Sequence, residues 1–174
     1  MSEDDVVEQA KWRAMQTVDL AAVSSLGDLV HVNYPEDAGV FAERLRLYPA
    51  GCFLLEGEAG SAIGYAVTHP WHFKKPPELN SMLGALPEPA SSYYIHDIAL
   101  LPAGRGSGAA SRLVAAIIAH ARETGAPNIS LIAVNGSIPF WARHGFEVDA
   151  DPALDAKLKS YDDDARFMVR PSRT

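Results

Sequence analysis

Cysteine is nearly absent from this sequence, because Cys52 is the only one among 174 residues. A single cysteine cannot form a disulfide within the chain, which favours a reducing compartment. Cys52 lies in an apolar run, so we expect a buried structural thiol and not a nucleophile. The acidic start, residues 1–5, lacks the basic and apolar segments of a secretory signal, and we therefore expect a cytoplasmic protein.

Long hydrophobic runs and an excess of basic residues are also missing. No apolar run approaches the roughly 20 residues that a membrane-spanning helix needs, which argues against a membrane partner. The chain has 15 Lys and Arg against 22 Asp and Glu, and its net charge of -7 disfavours a nucleic-acid-binding surface. Hydrophobic residues make up an ordinary globular 48% of the chain. Its length predicts a single domain over residues 1–174.

Most of the chemical information lies between residues 93 and 125. Residues 93–100 are aromatic and branched, which predicts a strand. From Ala110 the apolar residues recur at helical spacing as far as Gly125, a residue type that commonly ends helices. Between strand and helix lies a glycine-rich turn that contains Arg105. A strand, a glycine turn and a helix N-terminus together form a cradle for phosphate, and Arg105 adds planar cationic donors.

One pattern within this turn is that of a dinucleotide-binding protein. Gly104-x-Gly106-x-x-Ala109 matches the fingerprint G-x-G-x-x-[GA]. That fingerprint also requires glycines directly after the strand and an acidic residue about 20 positions further on. Other residues intervene here, and the next strand ends Val134-Asn135 without an acid. A nicotinamide dinucleotide is therefore the less favoured ligand.

The other pattern is Arg105-x-x-Gly108-x-Ala110, which matches R-x-x-G-x-[GA]. Pro102 precedes it and Leu113 follows it. This segment resembles the acetyl-CoA-binding motif of the GCN5-related N-acetyltransferase (GNAT) superfamily. The resemblance covers the residue identities and also the order of the structural elements, which is a strand, a proline, the glycine turn and a helix.

Residues 134–146 supply a second similarity to this family: an asparagine, a short helix with an aromatic pair, and then Gly-Phe. The resemblance implies an α/β fold, built on a mixed, mostly antiparallel sheet with helices on both faces. Its two central parallel strands, 93–100 and 129–134, would splay apart and admit acetyl-CoA as the cosubstrate, with no metal. The implied cofactor-binding residues are Ile98, Ala99, Leu100, Arg105, Gly106, Ser107, Gly108, Ala109, Ala110 and Asn135.

The implied reaction is direct transfer of an acetyl group to a primary amine, which needs a base with a pKa near neutrality. His96 is the best candidate, because imidazole titrates near pH 6.5 when unperturbed. Its position resembles that of a histidine in the arylalkylamine branch of the family, and Tyr94 falls where other members carry a glutamate base. Strict alternation predicts one face with Tyr94, His96, Ile98 and Leu100, and another with Ile95, Asp97 and Ala99.

The proton donor for the leaving CoA thiolate is a point of departure from the family. Where many members carry a tyrosine, this sequence has Trp141, whose indole is not a usable acid. Tyr94, Tyr161 and water remain as alternatives. This departure keeps a protein of another class open, a CoA-binding module without efficient turnover.

The acceptor amine has no motif of its own in the sequence. Two short helices within residues 17–48 and a proline-rich loop, residues 70–92, are expected to build and cover the acceptor site. The acceptor is predicted to be a small-molecule amine or a peptide amine, and the protein a monomer or a homodimer. His69-x-x-His72 has metal-like spacing, but further ligands are not evident, so no metal site is predicted.

Overall fold

The computed structural model describes residues 10–173, so the acidic start of the chain lies outside the described residues. The centre of the fold is a seven-stranded sheet in the order β1-β2-β3-β4-β5-β7-β6. β4 and β5 are parallel, and the other neighbouring strands are antiparallel. The strands are β1 Lys11–Ala14, β2 Cys52–Glu56, β3 Ala62–Trp71, β4 Ser92–Leu100, β5 Asn128–Ala133, β6 Glu147–Val148 and β7 Arg166–Pro171.

Helices cover both faces of this sheet, as the resemblance implied. α1 and α2 pack on one face, and α3 and α4 pack on the other. Within residues 10–173, no helix is long and apolar enough to cross a membrane. The α-helices are α1 Leu20–Val30, α2 Ala38–Leu47, α3 Ala109–Thr124, α4 Ile138–Arg143 and α5 Asp155–Tyr161.

The longest helix, α3, follows the apolar pattern of the sequence. Its inward face packs against Tyr93 and Ile95 of β4. Gly108 and Gly125 flank the helix with φ of 77° and 80°, a left-handed conformation that glycine adopts at little cost. The buried residues that form the inward face are Ala109, Leu113, Val114, Ile117 and Ala121.

The parallel pair β4 and β5 is hydrogen-bonded only near its start. Residues 93–95 of β4 lie opposite residues 129–131 of β5, and the ladder ends there. Both strands continue beyond this point, to Leu100 and Ala133. The two central parallel strands therefore diverge, which confirms the splayed arrangement that the resemblance implied.

A β-bulge in β4 begins where this divergence begins. The register between β3 and β4 shifts between Val67 and Thr68, whose partners are Asp97 and Ile95. His96 is therefore the extra residue of the bulge, without a partner in β3. Bulges commonly re-aim side chains at the edge of a site.

The bulge makes the predicted alternation along β4 wrong. Ile95 and Ile98 contact the same apolar cluster, on the α3 side of the sheet. Ala99 packs on the other side, against α1 and α2. Asp97 also bonds on the side of α1 and α2, as does His96. The extra residue reverses the alternation, so Ile98 does not share a face with His96, and Asp97 does.

Two further elements differ from the expectation. β3 continues through Pro70, although proline is not tolerated where a strand is paired on both sides. It is tolerated here because β2 ends opposite Val67 and leaves that edge of β3 unpaired. In the polar stretch of residues 149–164, where the sequence pattern predicts no helix, the seven residues of α5 form one. Since α5 buries no residue fully, its apolar periodicity is too weak to detect.

Candidate active site

The divergence of β4 and β5 opens a cavity of about 350 Å³, within the range of ligand-binding pockets. One wall follows β4 from Ile95, where the strands separate, to Leu100. The cavity then reaches Arg105 in the glycine turn. The opposite wall comes from β5 and from residues 134–141 that follow it.

The glycine turn leads into the N-terminus of α3 at the mouth of this cavity. Gly106 and Gly108 have φ of 79° and 77°, a left-handed backbone that favours glycine. The first helical hydrogen bond of α3 runs from the Arg112 N–H to the Gly108 carbonyl. The N–H groups before it have no helical acceptor, and they lie at the positive end of the helix dipole. Together with the exposed Arg105, they suit an anion such as a pyrophosphate.

The residues predicted to bind the cofactor do not all reach the cavity wall. Ala99 and Ala109 are each 1% exposed, and their side chains pack into the core. Three others form the turn next to Arg105, namely Gly106, Ser107 and Gly108. The predicted cofactor-binding residues that line the cavity are Ile98, Leu100, Arg105, Ala110 and Asn135.

His96, the predicted base, lines the cavity and pairs with Glu36. Its Nε2 atom lies 2.7 Å from Oε1 of Glu36, in the connection between α1 and α2. The two side chains are only 2% and 7% exposed. Because a carboxylate accepts at Nε2, that nitrogen carries the proton, and Nδ1 is the basic atom of the neutral ring. His96 Nδ1 is buried and has no partner within residues 10–173.

The Glu36 carboxylate is held in its ionised form. Burial raises its pKa, but the charge of His96 and hydrogen bonds from His96 and from the Asn80 N–H lower it more, and the pKa falls below its ordinary value. The sequence pattern marks Glu36 only as a residue before a helix. Its contact with His96 spans 60 positions, so a local motif cannot reveal it.

A second histidine–carboxylate pair lies beside the first. Nε2 of His31, at the end of α1, is 2.6 Å from Oδ1 of Asp97, and the Tyr65 hydroxyl donates to Oδ2 at 2.5 Å. Burial lowers the pKa of His31, but the hydrogen bond and charge of Asp97 outweigh it, so the pKa is raised. A histidine at a helix end carries no motif, and sequence reasoning missed this residue.

A smaller chamber of about 40 Å³ adjoins the cavity. Tyr94, predicted to be catalytic, lines neither space: it is 2% exposed, and its hydroxyl interacts with Tyr161. Four residues belong to the chamber alone, namely Tyr34, Glu36, Leu79 and Tyr161. The wall shared by both spaces consists of His31, His96, Asp97, Ile132 and Val134.

Tyr34 and Asn135 meet where the cavity and the chamber join. The Tyr34 hydroxyl donates a hydrogen bond of 2.5 Å to Oδ1 of Asn135. Asn135 follows β5 in a left-handed conformation, with φ of 55°. Trp141, where many family members carry a tyrosine, is 7% exposed and packs in the core against Phe146. Tyr34 thus places a phenol at this junction through its contact with Asn135, and it is a residue that sequence reasoning missed.

Two further expectations concern Cys52 and metal ligands. Cys52 is 1% exposed, and burial raises the pKa of its thiol to about 12. This agrees with the predicted structural role. Within residues 10–173, no group of three or more His, Cys, Asp or Glu side chains is arranged to hold a metal ion.

The fold and the cavity define a class of α/β protein with a pocket between two splayed parallel strands, a glycine turn next to it and two histidine–carboxylate pairs in its lining. A sequence model of the Acetyltransferase (GNAT) family matches residues 20–146, which is more than half of the chain. This protein belongs to that family. No curated protein matches the chain by sequence.

Solved structures share the fold at low sequence identity. The GphF GNAT-like decarboxylase in complex with isobutyryl-CoA is 16% identical, with 94% of this chain and 100% of that chain covered and a TM-score of 0.77. The loading GNATL domain of CurA from Lyngbya majuscula is 14% identical, with coverage of 95% and 99% and a TM-score of 0.76. The ribosomal-protein-S18-alanine N-acetyltransferase from Escherichia coli is 18% identical, with coverage of 95% and 96% and a TM-score of 0.64.

Proposed function

We propose that the protein transfers the acetyl group of acetyl-CoA directly to a primary amine. The observation that carries this proposal is the layout of the cavity. An anion-binding turn lies at its mouth, and two histidine–carboxylate pairs lie at its far end, where the chamber joins it. Membership of the Acetyltransferase (GNAT) family supports acyl transfer. The Escherichia coli relative is an alanine N-acetyltransferase, which supports an amine acceptor.

The residues of the cavity match the parts of acetyl-CoA. The first turn of α3 and Arg105 bind the pyrophosphate, because free N–H groups and a guanidinium both favour phosphate oxygens. Beyond residue 95 the backbone of β4 is not paired with β5. This free edge, next to Ile98 and Leu100, offers hydrogen bonds to the amides of pantetheine, as strand edges do for extended ligands.

His96 accepts the proton that the amine must lose. The bond between the amine nitrogen and the acetyl carbon forms as the carbon–sulfur bond breaks, and the amine proton passes to Nδ1 of His96. Glu36 fixes the ring through Nε2 and stabilises the imidazolium that results. A positioned base of this kind contributes about 10² to 10⁴ in rate.

Tyr34 returns a proton to the leaving thiolate. Burial raises the pKa of Tyr34, so its hydroxyl keeps its proton at neutral pH, and it gives up its bond to Asn135 when it donates to the thiolate. Its contact with Asn135 places it at the junction of the cavity and the chamber. The Tyr161 hydroxyl also donates a hydrogen bond, to the Pro77 carbonyl at 2.6 Å, but Pro77 does not line the cavity, whereas the acceptor of Tyr34, Asn135, does. An acceptor that binds as an ammonium loses two protons in forming the amide. One of them replaces, through solvent, the proton that Tyr34 gives to the thiolate, and the other is released to solvent.

A thermal-shift titration with acetyl-CoA, desulfo-CoA and NADH tests the cosubstrate. A ligand that binds only the folded state stabilises it by about 2.7 kcal/mol at about 100 times its dissociation constant. We expect a shift with both CoA compounds and none with NADH. No shift with either CoA compound overturns the proposal, and a shift with NADH alone favours a dinucleotide.

An assay of CoA release with a panel of primary amines tests turnover. We expect His96→Gln to lower kcat/KM by about 10² or more. His120→Gln is the matched control, because His120 lies on α3, bonded to Tyr48 and outside the cavity. His31→Gln tests whether the second pair is the base instead. Unchanged kinetics in His96→Gln would refute its assigned role.

Two other outcomes of this assay define different functions. Binding of acetyl-CoA without turnover with any amine would favour a CoA-binding module. Arms with isobutyryl-CoA and malonyl-CoA test the acyl group, because the GphF relative is described as a decarboxylase and is bound to isobutyryl-CoA. Loss of carbon dioxide from malonyl-CoA without an amine would replace acetyl transfer as the proposed reaction.

A further inference from the structure

The connection between β3 and β4, residues 72–91, crosses the chamber as a strap that is fixed at both sides. On the side of α2, the Glu43 carboxylate accepts hydrogen bonds from the N–H groups of Leu83 at 2.5 Å and Gly84 at 3.1 Å. Nη1 of Arg44 donates to the Ser81 carbonyl at 2.9 Å. Hydrogen bonds to charged groups are among the stronger ones in proteins, so this side of the strap is firmly held.

The opposite side of the strap is fixed to α5. The Tyr161 hydroxyl donates to the Pro77 carbonyl at 2.6 Å, and Nζ of Lys157 donates to the Pro76 carbonyl at 3.0 Å. Both prolines are buried. The strap therefore spans from α2 to α5 and covers the end of the chamber between them.

The middle of the strap is tied to the histidine–carboxylate pair itself. The Asn80 N–H donates to Oε2 of Glu36 at 3.1 Å, while the other oxygen of Glu36 faces His96 at 2.7 Å. Oδ1 of Asn80 accepts from the Asp37 N–H at 2.7 Å. Leu79, the neighbour of Asn80, lines the chamber. The strap thus supplies part of the chamber wall and also orients the carboxylate next to the proposed base.

The chamber under the strap is small and acidic. Its volume of about 40 Å³ gives room for about three water-sized groups. Glu36 and Asp97 contribute carboxylates, and no Lys or Arg is among the described residues that line it. Each carboxylate is paired with a histidine of the same lining, Glu36 with His96 and Asp97 with His31. Arg44 is 1% exposed and bonded to the strap. The carboxylates of the chamber therefore attract an ammonium group. The strap leaves no room for an extended polypeptide.

From this enclosure we infer that the acceptor is a small primary amine, and not the N-terminus or a lysine of a polypeptide. The inference rests on the proposed acetyl transfer and specifies its substrate class. Leu79 and the rest of the strap exclude a bulky acceptor, and the two carboxylates favour an acceptor with a positive charge. A small amine bound together with acetyl-CoA places its nitrogen at the wall shared by the cavity and the chamber, next to His96.

The test compares two panels of acceptors with acetyl-CoA at saturation: small primary amines of increasing size, and short peptides with a free N-terminus or a lysine. We expect at least one small amine to exceed every peptide by about tenfold or more in kcat/KM. Equal or better transfer to a peptide overturns the inference and leaves acetyl transfer standing. Absence of transfer to both panels refutes the proposed function itself, and the inference falls with it.

Two variants, each with its own control variant, test whether the strap causes the preference for small amines. Leu79→Ala enlarges the chamber and is expected to shift the optimum toward a bulkier amine, whereas Leu79→Met conserves volume and leaves the order of amines unchanged. Glu43→Gln removes the charge that fixes the strap and is expected to raise peptide transfer relative to small amines. Glu123→Gln, on the exposed face of α3, is the matched control. An unchanged order of amines in Leu79→Ala contradicts the inference.

Hydrogen exchange supplies a readout that does not depend on activity. The N–H groups of Leu83 and Gly84 are protected in the wild type if Glu43 holds them, and Glu43→Gln is expected to raise their exchange rates relative to those of β3. Rapid exchange of both groups in the wild type would show that the strap is not held over the chamber, and the size limit would lose its basis.

Discussion

The buried His69 should lower the free energy of unfolding as the solution becomes more acidic. It lies on β3 opposite Tyr94 and is 1% exposed. Nδ1 donates to the Pro70 carbonyl at 2.9 Å, while Nε2 is buried and has no partner within residues 10–173. Burial lowers the pKa of His69 to about 3, the hydrogen bond to Pro70 opposes this, and the charges of His96 and Arg44 add to the lowering.

The magnitude follows from the difference between the folded and unfolded pKa of His69. An unfolded histidine has a pKa of 6.5, whereas the folded value is about 3. As the pH falls through 6.5, the unfolded chain binds a proton that the folded chain rejects, so stability declines. One pKa unit corresponds to about 1.4 kcal/mol, so between about pH 8 and about pH 5 His69 alone lowers the free energy of unfolding by about 2 kcal/mol.

The assay is equilibrium denaturation by urea at several pH values between those limits. The other titrating groups are common to all variants, so the informative quantity is the difference from the wild type. In His69→Phe, which keeps a ring against Trp71, the free energy of unfolding should fall less in acid, by about 2 kcal/mol. His72→Phe, at an exposed neighbouring position, should retain the wild-type slope. Identical slopes for the wild type and His69→Phe would refute the reasoning, and His69→Gln repeats the test if the phenylalanine does not fit.

Three further predictions concern the cavity and its surroundings. Arg105→Ala should weaken binding of acetyl-CoA and desulfo-CoA alike, by about tenfold or more, in a calorimetric titration, and equal affinity would contradict the phosphate cradle. The raised pKa of His31 means that the proton-linked part of its pairing with Asp97 stabilises the fold fully below pH 6.5 and is lost as the pH rises through the folded pKa. The stability difference between wild type and His31→Gln, measured by urea denaturation, should therefore decrease as the pH rises, and a difference that does not change with pH would contradict the raised pKa. With its pKa raised to about 12, the buried Cys52 should resist iodoacetamide at neutral pH until the chain is denatured, and rapid alkylation of the native protein would contradict that burial.

The central unit of the fold was predictable because its signals are local. Residues 93–100 are rich in aromatic and branched side chains and form a strand, and α3 carries its apolar residues at helical spacing between two left-handed glycines. The glycine turn and Arg105 are contiguous in the chain. The resemblance to the GNAT superfamily therefore rested on segments that fold through their own neighbours, and the family match confirms it.

The partners of the two histidines were not predictable, because distant segments supply them. Glu36 is 60 positions from His96, and His31 is 66 positions from Asp97. Neither Glu36 nor His31 stands in a pattern that distinguishes it from other residues at helix ends. Only the packing of α1 and α2 on the sheet brings them to β4, and that packing depends on the whole core.

The bulge in β4 explains why both pairs form at one place. In a regular strand, the side chains of His96 and Asp97 point to opposite faces of the sheet. The extra residue at His96 lets both side chains reach the segment between α1 and α2, where one meets Glu36 and the other meets His31. The ladder to β5 also ends next to the bulge, after Ile95. One irregularity in one strand therefore lies where the cavity begins and lets both histidine–carboxylate pairs form beside it. A prediction based on strict alternation puts His96 and Asp97 on opposite faces and so misses this arrangement.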